Sequence, residues 1–320
     1  MTARICGTGS SLPKLRVTND DLSKILDTSD EWIKSRTGIE ARHIAVEETT
    51  TGLAAEAARQ ALLEANMQAK ELEVIIAATV TPDRLLPFLS GEVQRELGAD
   101  NAAAFDIGAA CSGFLFALNT AYAYISAGIY KNALIIGAET LSKIMDWSDR
   151  STCVLFGDGA GAAVLKADKD GILSITQGSD GAGGMVLSCG GRPLDTPFAK
   201  HEAENHYVQM GGQEVYKFAV KTVPACINEA LEAAGVSAEE ISLFVLHQAN
   251  YRIIESVARH LGQPMEKFPV CLQECGNISA ASVPILLDKI NKNGKLKKGD
   301  KIVLAGFGAG LTWGACVLAW

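Results

Sequence analysis

Apolar runs alternate with segments of helical periodicity along most of this chain. The runs that predict buried strands are residues 72–78, 103–107, 132–137, 241–246 and 301–305. Segments with apolar residues at helical spacing lie between them, and the clearest are residues 53–67 and 215–234. Strands that alternate with helices predict an α/β protein built from layers.

The two halves of the chain resemble each other weakly. The segment 63–65 precedes the apolar run at 72–77 in the same way that 231–233 precedes the run at 241–246. The closing run at 161–165 likewise matches 314–318. These matches predict a duplicated fold with half-domains at residues 1–170 and 171–320. Chance similarity between short Ala- and Leu-rich segments is the competing interpretation.

Composition and charge narrow the function classes. With 320 residues, 48% of them hydrophobic, and 31 glycines, the chain is long enough for two domains or one large two-part fold. Its net charge of −8 argues against a general nucleic-acid binder. We find neither an apolar signal core after Met1 nor a stretch long enough to cross a bilayer, so we expect a cytoplasmic protein that does not bind membranes.

The eight cysteines are expected to be reduced thiols, because no export signal accompanies them. Cys271 and Cys275 have three residues between them, and no second Cys or His pair lies close enough in sequence to complete a metal site. We therefore predict no bound metal. A free cysteine most often acts as a small buried hydrophobic residue.

Cys111 has a different context, because it follows an apolar run and a small-residue turn and precedes a helical segment. The start of a helix carries unsatisfied amide donors and the positive end of the helix dipole. Both are expected to lower the pKa of the thiol and to stabilise an oxyanion formed beside it. Cys111 is thus predicted to be a nucleophile at the start of a helix.

Two polar segments of the second half supply possible partners for this thiol. His247 follows an apolar run directly, so its imidazole is expected at the carboxyl end of a strand, where α/β sheets gather their ligands. Asn277 follows Gly276 in a second such segment. Taken alone, the histidine could be structural and the asparagine a turn residue.

Four motifs change that interpretation: AACSGF around Cys111, HQAN from His247, GNISAAS around Asn277, and the closing run GFGAGLTWG. Together they resemble the β-ketoacyl-[acyl-carrier-protein] synthase III family, and the likeness extends over nearly the whole chain, from GTGSSLP through DEWI, RTGI and FGDGAGAAVL. The resemblance implies a thiolase-like α/β fold with duplicated half-domains in a five-layer α-β-α-β-α arrangement. It also implies a homodimer.

The resemblance further implies an initiating condensing enzyme of type II fatty acid synthesis. Acyl-CoA would acylate Cys111, and malonyl-acyl-carrier protein would then undergo decarboxylative condensation, assisted by His247 and Asn277. The backbone N–H groups of Cys111 and Ala309 would form the oxyanion hole. No cofactor is implied, because the CoA thioester is a substrate. A related synthase with another primer or extender stays open. A nucleotide-binding oxidoreductase is a distant alternative, since none of the glycine-rich runs is G-x-G-x-x-G.

Further residues take expected roles from the resemblance alone. Those expected to bind CoA are Trp32, Arg36, Thr37, Arg150, Gly212, Gln213 and Asn250. Those expected to form the acyl pocket are Leu86 from the partner subunit, Leu141, Phe156 and Phe307. Those expected to dock the carrier protein are Lys217, Arg252 and Arg259. Gln213 stands where the best-known members have Asn, and the small Leu86 suggests longer or branched primers.

Overall fold

The computed structural model describes residues 1–200 and 205–320. Its strands are β1 (Thr2–Ser11), β2 (Leu15–Thr18), β3 (Ala41–Ile44), β4 (Val74–Ala78), β5 (Ala103–Ile107), β6 (Asn132–Thr140), β7 (Asp158–Asp168), β8 (Ile172–Ser179), β9 (Leu187–Ser188), β10 (Asp195–Thr196), β11 (Ala199–Lys200), β12 (Gln209–Met210), β13 (Ile241–Leu246), β14 (Lys301–Gly308) and β15 (Thr312–Ala319). Its helices are α1 (Asn19–Leu22), α2 (Asp30–Thr37), α3 (Thr50–Glu64), α4 (Leu89–Leu97), α5 (Gly113–Ser126), α6 (Gly212–Ala234), α7 (Tyr251–His260), α8 (Leu272–Cys275) and α9 (Ser282–Lys292).

Two large sheets share one strand order. The first sheet runs β1-β7-β6-β4-β5, and the second runs β8-β15-β14-β13. In each sheet the first three strands are antiparallel neighbours and the next pair is parallel. The second sheet thus repeats the order and directions of the first four strands of the first sheet.

The core forms three apolar layers around these sheets. Helices α5 and α9 lie between the sheets, and their apolar side chains pack against strands of both. Helices α3 and α4 cover the outer face of the first sheet, and α6 and α7 cover the outer face of the second. Helices and sheets therefore alternate in five layers, as expected from the resemblance.

The apolar pattern predicts the buried strands well and their ends less well. β5 and β13 have the predicted bounds, whereas β6 and β14 each continue three residues further than predicted. β6 continues because Glu139 and Thr140, although polar, are buried in the strand. Helix α3 lies about three residues earlier than predicted, because Thr49 caps its start and Asn66 has a positive φ of 46° just after its end.

The boundary predicted at residue 170 falls between β7 and β8, and it stays a prediction. Within the described ranges, each helix is too short or too polar to cross a membrane.

Candidate active site

The Cys111 thiol lies in a tight turn between β5 and α5. Residues Ala110–Ser112 form a 3₁₀ turn, and α5 begins only at Gly113. Ala110 has a φ of +42°, a conformation that is costly for a residue with a Cβ and that occurs mainly where the surroundings enforce it. The prediction that Cys111 lies at or near the start of a helix is confirmed, with the refinement that it precedes α5.

Side chains and close backbone packing join this turn to the turn between β14 and β15. The hydroxyls of Ser112 and Thr312 are 2.5 Å apart, and Thr312 Oγ1 donates to the carbonyl of Ala309 at 2.9 Å. At Gly308 an added Cβ would lie 2.6 Å from Cys111 Cβ, so only glycine fits there without displacing the thiol. Ala309 and Cys111 consequently line the same cavity.

The imidazole of His247 emerges at the carboxyl end of β13. Its backbone N–H donates to the carbonyl of Ala305 at 2.8 Å, and its ring meets that of Phe307 edge to face at 5.3 Å. Its Nδ1 has no hydrogen-bond partner among the described residues. Burial penalises the charged form and lowers the pKa of His247 to about 3. The ring is therefore neutral at physiological pH.

The side chain of Asn277 is oriented by its own loop. Its backbone N–H donates to Leu155 at 2.9 Å, and its backbone carbonyl accepts from Gly157 at 3.0 Å. Its Oδ1 accepts from the backbone N–H of Ser279 at 2.9 Å. Because the amide oxygen is engaged in this way, the NH₂ group is the part left to donate to a ligand.

Cys111, His247 and Asn277 line one cavity of about 170 Å³, together with Phe307 and Gly308. Toward the surface the same cavity is lined by Gly212 and Asn250, at the starts of α6 and α7. The structure thus brings together the three side chains that the motifs single out, although they come from three separate parts of the chain. Their catalytic roles stay a prediction.

The expectation of a lowered Cys111 pKa is wrong for the protein without substrate. Burial raises the pKa of the Cys111 thiol to about 12, and the negative charge of Glu139 adds to this effect. The neighbouring Ser279 hydroxyl acts in the opposite direction and is too weak to offset burial. Desolvation of the thiolate is therefore the largest influence on this pKa.

A larger cavity of about 800 Å³ also borders Cys111. Leu141 and Phe156 line it, as expected of acyl-pocket residues, whereas Phe307 lines the smaller cavity beside His247. Leu86 is 82% exposed and does not line the cavity of its own chain. Its expected place is in the pocket of a partner subunit, and that stays a prediction.

Aromatic and basic side chains gather along α2, whose last turn contacts the start of α7. The guanidinium carbons of Arg36 and Arg150 lie 4.7 and 5.3 Å from the ring centroid of Trp32. Asn250 Nδ2 donates to the carbonyl of Arg36 at 3.1 Å, and Arg252 donates to the carbonyl of Ser35 at 2.6 Å. These contacts place the residues expected to bind CoA next to the outer end of the smaller cavity.

The remaining expected contact residues differ in accessibility. Thr37 is buried, and its hydroxyl donates to Ile33 and accepts from Ile39, so it is already satisfied inside the protein. Gln213 and Lys217 are exposed on the first turns of α6. Arg259 is exposed on α7 and forms a 3.8 Å ion pair with Glu255.

Comparison with known proteins decides the family. A family model described as 3-oxoacyl-[acyl-carrier-protein (ACP)] synthase III matches residues 105–181, and the model of the C-terminal part of that synthase matches residues 231–320. Beta-ketoacyl-[acyl-carrier-protein] synthase III of Clostridium acetobutylicum is 49% identical, and the match covers 100% of this chain and 99% of that protein. The chain belongs to the β-ketoacyl-[acyl-carrier-protein] synthase III family.

Solved structures of this family share the fold. 3-Oxoacyl-[acyl-carrier-protein] synthase III from Aquifex aeolicus VF5 is 48% identical and has a TM-score of 0.93, covering 99% of this chain and 100% of that one. A priming β-ketosynthase from the R1128 polyketide biosynthetic pathway is 35% identical with the same TM-score, covering 99% of this chain and 96% of that one. The predicted thiolase-like fold is therefore confirmed.

Membership of the synthase III family also confirms the predicted activity class. The chain is an acyl-transferring condensing enzyme that initiates fatty acid synthesis. The distant alternative, a nucleotide-binding oxidoreductase, is not supported.

Two residues that our sequence reasoning did not single out lie beside the thiol. Ser279 is buried with a φ of +44°, lines the larger cavity with Cys111, and has no partner for its Oγ at hydrogen-bonding geometry within the described ranges. Glu139 is buried and accepts from Thr81 Oγ1 at 2.5 Å, yet burial raises its pKa to about 7. Ser279 belongs to the GNISAAS motif, so its neighbourhood was visible in the sequence. Glu139 follows the apolar run at 132–137, and no such motif marks it.

Proposed function

We propose that Cys111 carries the acyl group in a two-step condensation. The cavity shared by Cys111, His247 and Asn277 is the observation that carries this proposal. In the first step the Cys111 sulfur attacks the thioester carbonyl of acyl-CoA, and the neutral imidazole of His247 accepts the thiol proton. The proton is returned to the departing CoA sulfur, which leaves as a thiol, and an acyl-Cys111 thioester remains.

The charge that develops during this attack needs donors near the thiol. We assign that task to the backbone N–H groups of Cys111 and Ala309, which border the same cavity. The hydroxyl contact between Ser112 and Thr312 supports the assignment, because it holds the two turns in fixed relation. Donors fixed before the reaction require no reorganisation when the oxyanion forms.

The second step uses His247 and Asn277 as donors. Malonyl-acyl-carrier protein loses carbon dioxide, and the negative charge passes to its thioester oxygen. An imidazole that stays neutral keeps one N–H, and Asn277 keeps its amide N–H₂ free, so both can donate to that oxygen. The resulting carbanion attacks the acyl-Cys111 carbonyl, and the Cys111 thiolate leaves. The product is 3-oxoacyl-acyl-carrier protein.

The surface around the smaller cavity supports our assignment of the residues that contact CoA and the carrier protein. We assign the CoA nucleotide to Trp32, Arg36 and Arg150, because a stacked aromatic ring with guanidinium groups suits an adenine and its phosphates. Lys217, Arg252 and Arg259 would dock the acidic carrier. Since the whole enzyme carries a net charge of −8, such a local basic cluster is needed to steer an acidic protein to this face.

We further propose a cytoplasmic homodimer that needs no cofactor or metal. Each proton transfer and each developing charge in the two steps has a protein group assigned to it. The exposed apolar side chains of Leu85 and Leu86 support a second subunit at this face, because side chains of this kind are normally covered when they are clustered. In that dimer Leu86 would close the acyl pocket of the partner.

The primer is proposed to be longer or more branched than acetyl. The cavity of about 800 Å³ beside Cys111 supports this, as does the moderate size of Leu86. Turnover of acetyl-CoA and isobutyryl-CoA should be compared under identical conditions. A strong preference for acetyl-CoA would contradict the proposal.

The two steps are tested by measuring them separately in Asn277 variants. Asn277→Ala and the isosteric Asn277→Asp should both form acyl-Cys111 at close to the unmodified rate, as followed by intact mass. Condensation with malonyl-acyl-carrier protein should fall roughly 10²–10³-fold, the usual loss for one such donor. Equal losses in both steps would contradict the assignment of Asn277 to the second step alone.

A further inference from the structure

A second group of thiol and amine side chains lies next to the loop that holds Asn277. Cys271 caps the start of α8 and Cys275 is its last residue, so the two thiols lie one helical turn apart. Lys289 of α9 reaches this pair, with its Nζ 3.0 Å from Cys275 Sγ. The two-step condensation proposed above uses none of these groups.

The groups around the two thiols shift their pKa values in opposite directions. The adjacent Cys271 side chain and the positive charge of Lys289 lower the pKa of Cys275, although burial acts against them. The same contact raises the pKa of Cys271. The pair thus resembles a thiolate beside a thiol, the combination in which one sulfur reacts with oxidants and the other resolves the product.

Helix α8 is connected to both donors of the condensation step. The backbone N–H of Cys271 donates to Gln248 Oε1 at 2.9 Å, and Gln248 directly follows His247. At its other end α8 continues into Gly276, with a φ of +64°, and then into Asn277. A change in the length of this single turn would therefore act on the loops that hold His247 and Asn277.

We propose that Cys271 and Cys275 form an oxidation-sensitive dithiol that hydrogen peroxide closes into a disulfide across α8. The Cys275 thiolate attacks one peroxide oxygen, the O–O bond breaks, and hydroxide leaves, which gives a sulfenic acid. The Cys271 sulfur then attacks the Cys275 sulfur, the S–S bond forms, the S–O bond breaks, and the hydroxyl leaves. The Cys271 proton turns one hydroxyl group into water, and a proton from solvent, equal to the one that Cys275 lost on ionising, turns the other into a second water. Two thiols are oxidised and the peroxide is reduced.

Closing this disulfide must contract the turn. Residues four apart on a helix have Cβ atoms roughly 5–6 Å apart, whereas a disulfide holds them at roughly 3.5–4.5 Å. The contraction would displace Asn277 and the Gln248 contact while leaving the Cys111 turn on its own β5 and α5. Because His247 also serves acylation, the oxidised enzyme should lose condensation to a greater extent than acylation, an expectation that rests on the proposed function.

Formation of the disulfide between Cys271 and Cys275 is tested without an activity assay. A chain with Cys111→Ala is treated with hydrogen peroxide, and its intact mass should fall by about 2 Da, the two hydrogens lost in a disulfide. Peptide mapping after alkylation should join Cys271 to Cys275. Cys271→Ser and Cys275→Ser in the same background should abolish the mass loss, and Lys289→Gln should slow it. An unchanged mass in the parent, or an equal loss in the serine variants, would overturn the proposal.

The effect of the disulfide on condensation is tested in the chain without substitutions. Cys111 is first acylated, which shields it from the oxidant, and the acyl-enzyme is then treated with peroxide and given malonyl-acyl-carrier protein. Condensation should fall at least tenfold, return after reduction with a phosphine, and stay unaffected in Cys271→Ser. Undiminished condensation by a chain that carries the mapped disulfide would overturn the link to α8. If untreated acyl-enzyme makes no product, the proposed function fails while the mass result for the disulfide stands.

Discussion

At the residue scale, the ionisation of Cys111 gives a direct prediction. Because burial raises the pKa of this thiol to about 12, its thiolate fraction should rise about tenfold per pH unit below that value, and less steeply near pH 7, where Glu139 becomes charged. Alkylation of Cys111 by iodoacetamide, followed by peptide mapping, should accelerate continuously from pH 6 to pH 10. His247 stays neutral over this range, so no step near its ordinary pKa is expected. A plateau near neutral pH would contradict this result.

Glu139 provides a second prediction at this scale. Its pKa of about 7 means that it is largely charged at pH 9 and largely protonated at pH 6, and its charge raises the Cys111 pKa. Glu139→Gln should therefore speed Cys111 alkylation at pH 9, by no more than about tenfold for one pKa unit, and should leave the rate at pH 6 nearly unchanged. Glu92→Gln is the control, since this buried carboxylate contacts Thr51 and Arg84 instead. Equal effects at both pH values would rule out a charge effect.

At the residue scale, the identities of the proposed catalytic residues were easier to predict than their ionisation. The motifs single out Cys111, His247 and Asn277 through their resemblance to the synthase III family, and the sequence around each also changes there from apolar to loop-like. The raised pKa of Cys111 could not be predicted, since it depends on how completely the folded protein removes water from the thiol. Glu139 was equally hidden, because a buried carboxylate becomes recognisable only when its donors, such as Thr81, are seen around it.

At the element scale, the end of β14 should tolerate no side chain. A Cβ at Gly308 would lie 2.6 Å from Cys111 Cβ and 3.0 Å from Cys111 Sγ. Gly308→Ala should therefore form acyl-enzyme at least 100-fold more slowly, because a displacement of about 1 Å in a reacting group can cost that much. Gly181→Ala is the matched control, since an added Cβ there meets nothing within 4 Å. Circular dichroism should report folded protein for both. Full acylation by Gly308→Ala would contradict the observed packing.

Whether a segment forms a helix or a strand was easier to predict than the residue at which it ends. The buried runs that became β5 and β13 are bounded by residues that end an apolar pattern, so their limits were visible. β14 runs on through Gly306, Phe307 and Gly308, and the glycines of this stretch carry no strand signal. The 3₁₀ turn before α5 was invisible for a different reason, because the positive φ of Ala110 is imposed by packing rather than by its residue type.

At the scale of the whole molecule, the exposed loop that carries Leu86 should be a subunit interface. Leu86 and Leu63 are both 82% exposed in the single chain, but only the first is proposed to enter a partner. Leu86→Glu should shift sedimentation velocity from dimer toward monomer and reduce turnover, because a charge would be buried without a partner. Leu63→Glu on α3 is the matched control and should stay dimeric. A monomeric unmodified protein, or a dimer unaffected by Leu86→Glu, would contradict the interface.

The layered architecture was largely predictable at this scale. Alternating strands and helices indicate an α/β fold, and the weak internal matches anticipate two sheets of one strand order. What covers Leu86 could not be predicted from these patterns, because an exposed leucine looks the same whether it faces solvent or a partner. The smaller cavity beside Cys111 was also hidden, since residues of α6 and α7, which are distant from Cys111 in sequence, line it.

The central claim is that the Cys111 sulfur receives the acyl group, and intact-mass measurement tests it most directly. After incubation with isobutyryl-CoA, the unmodified chain should gain the mass of one acyl group, and the gain should map to Cys111. Cys111→Ala should gain none, whereas Cys316→Ala, which removes a buried thiol of the second sheet, should still be acylated. Acyl-enzyme formed by Cys111→Ala would contradict the account.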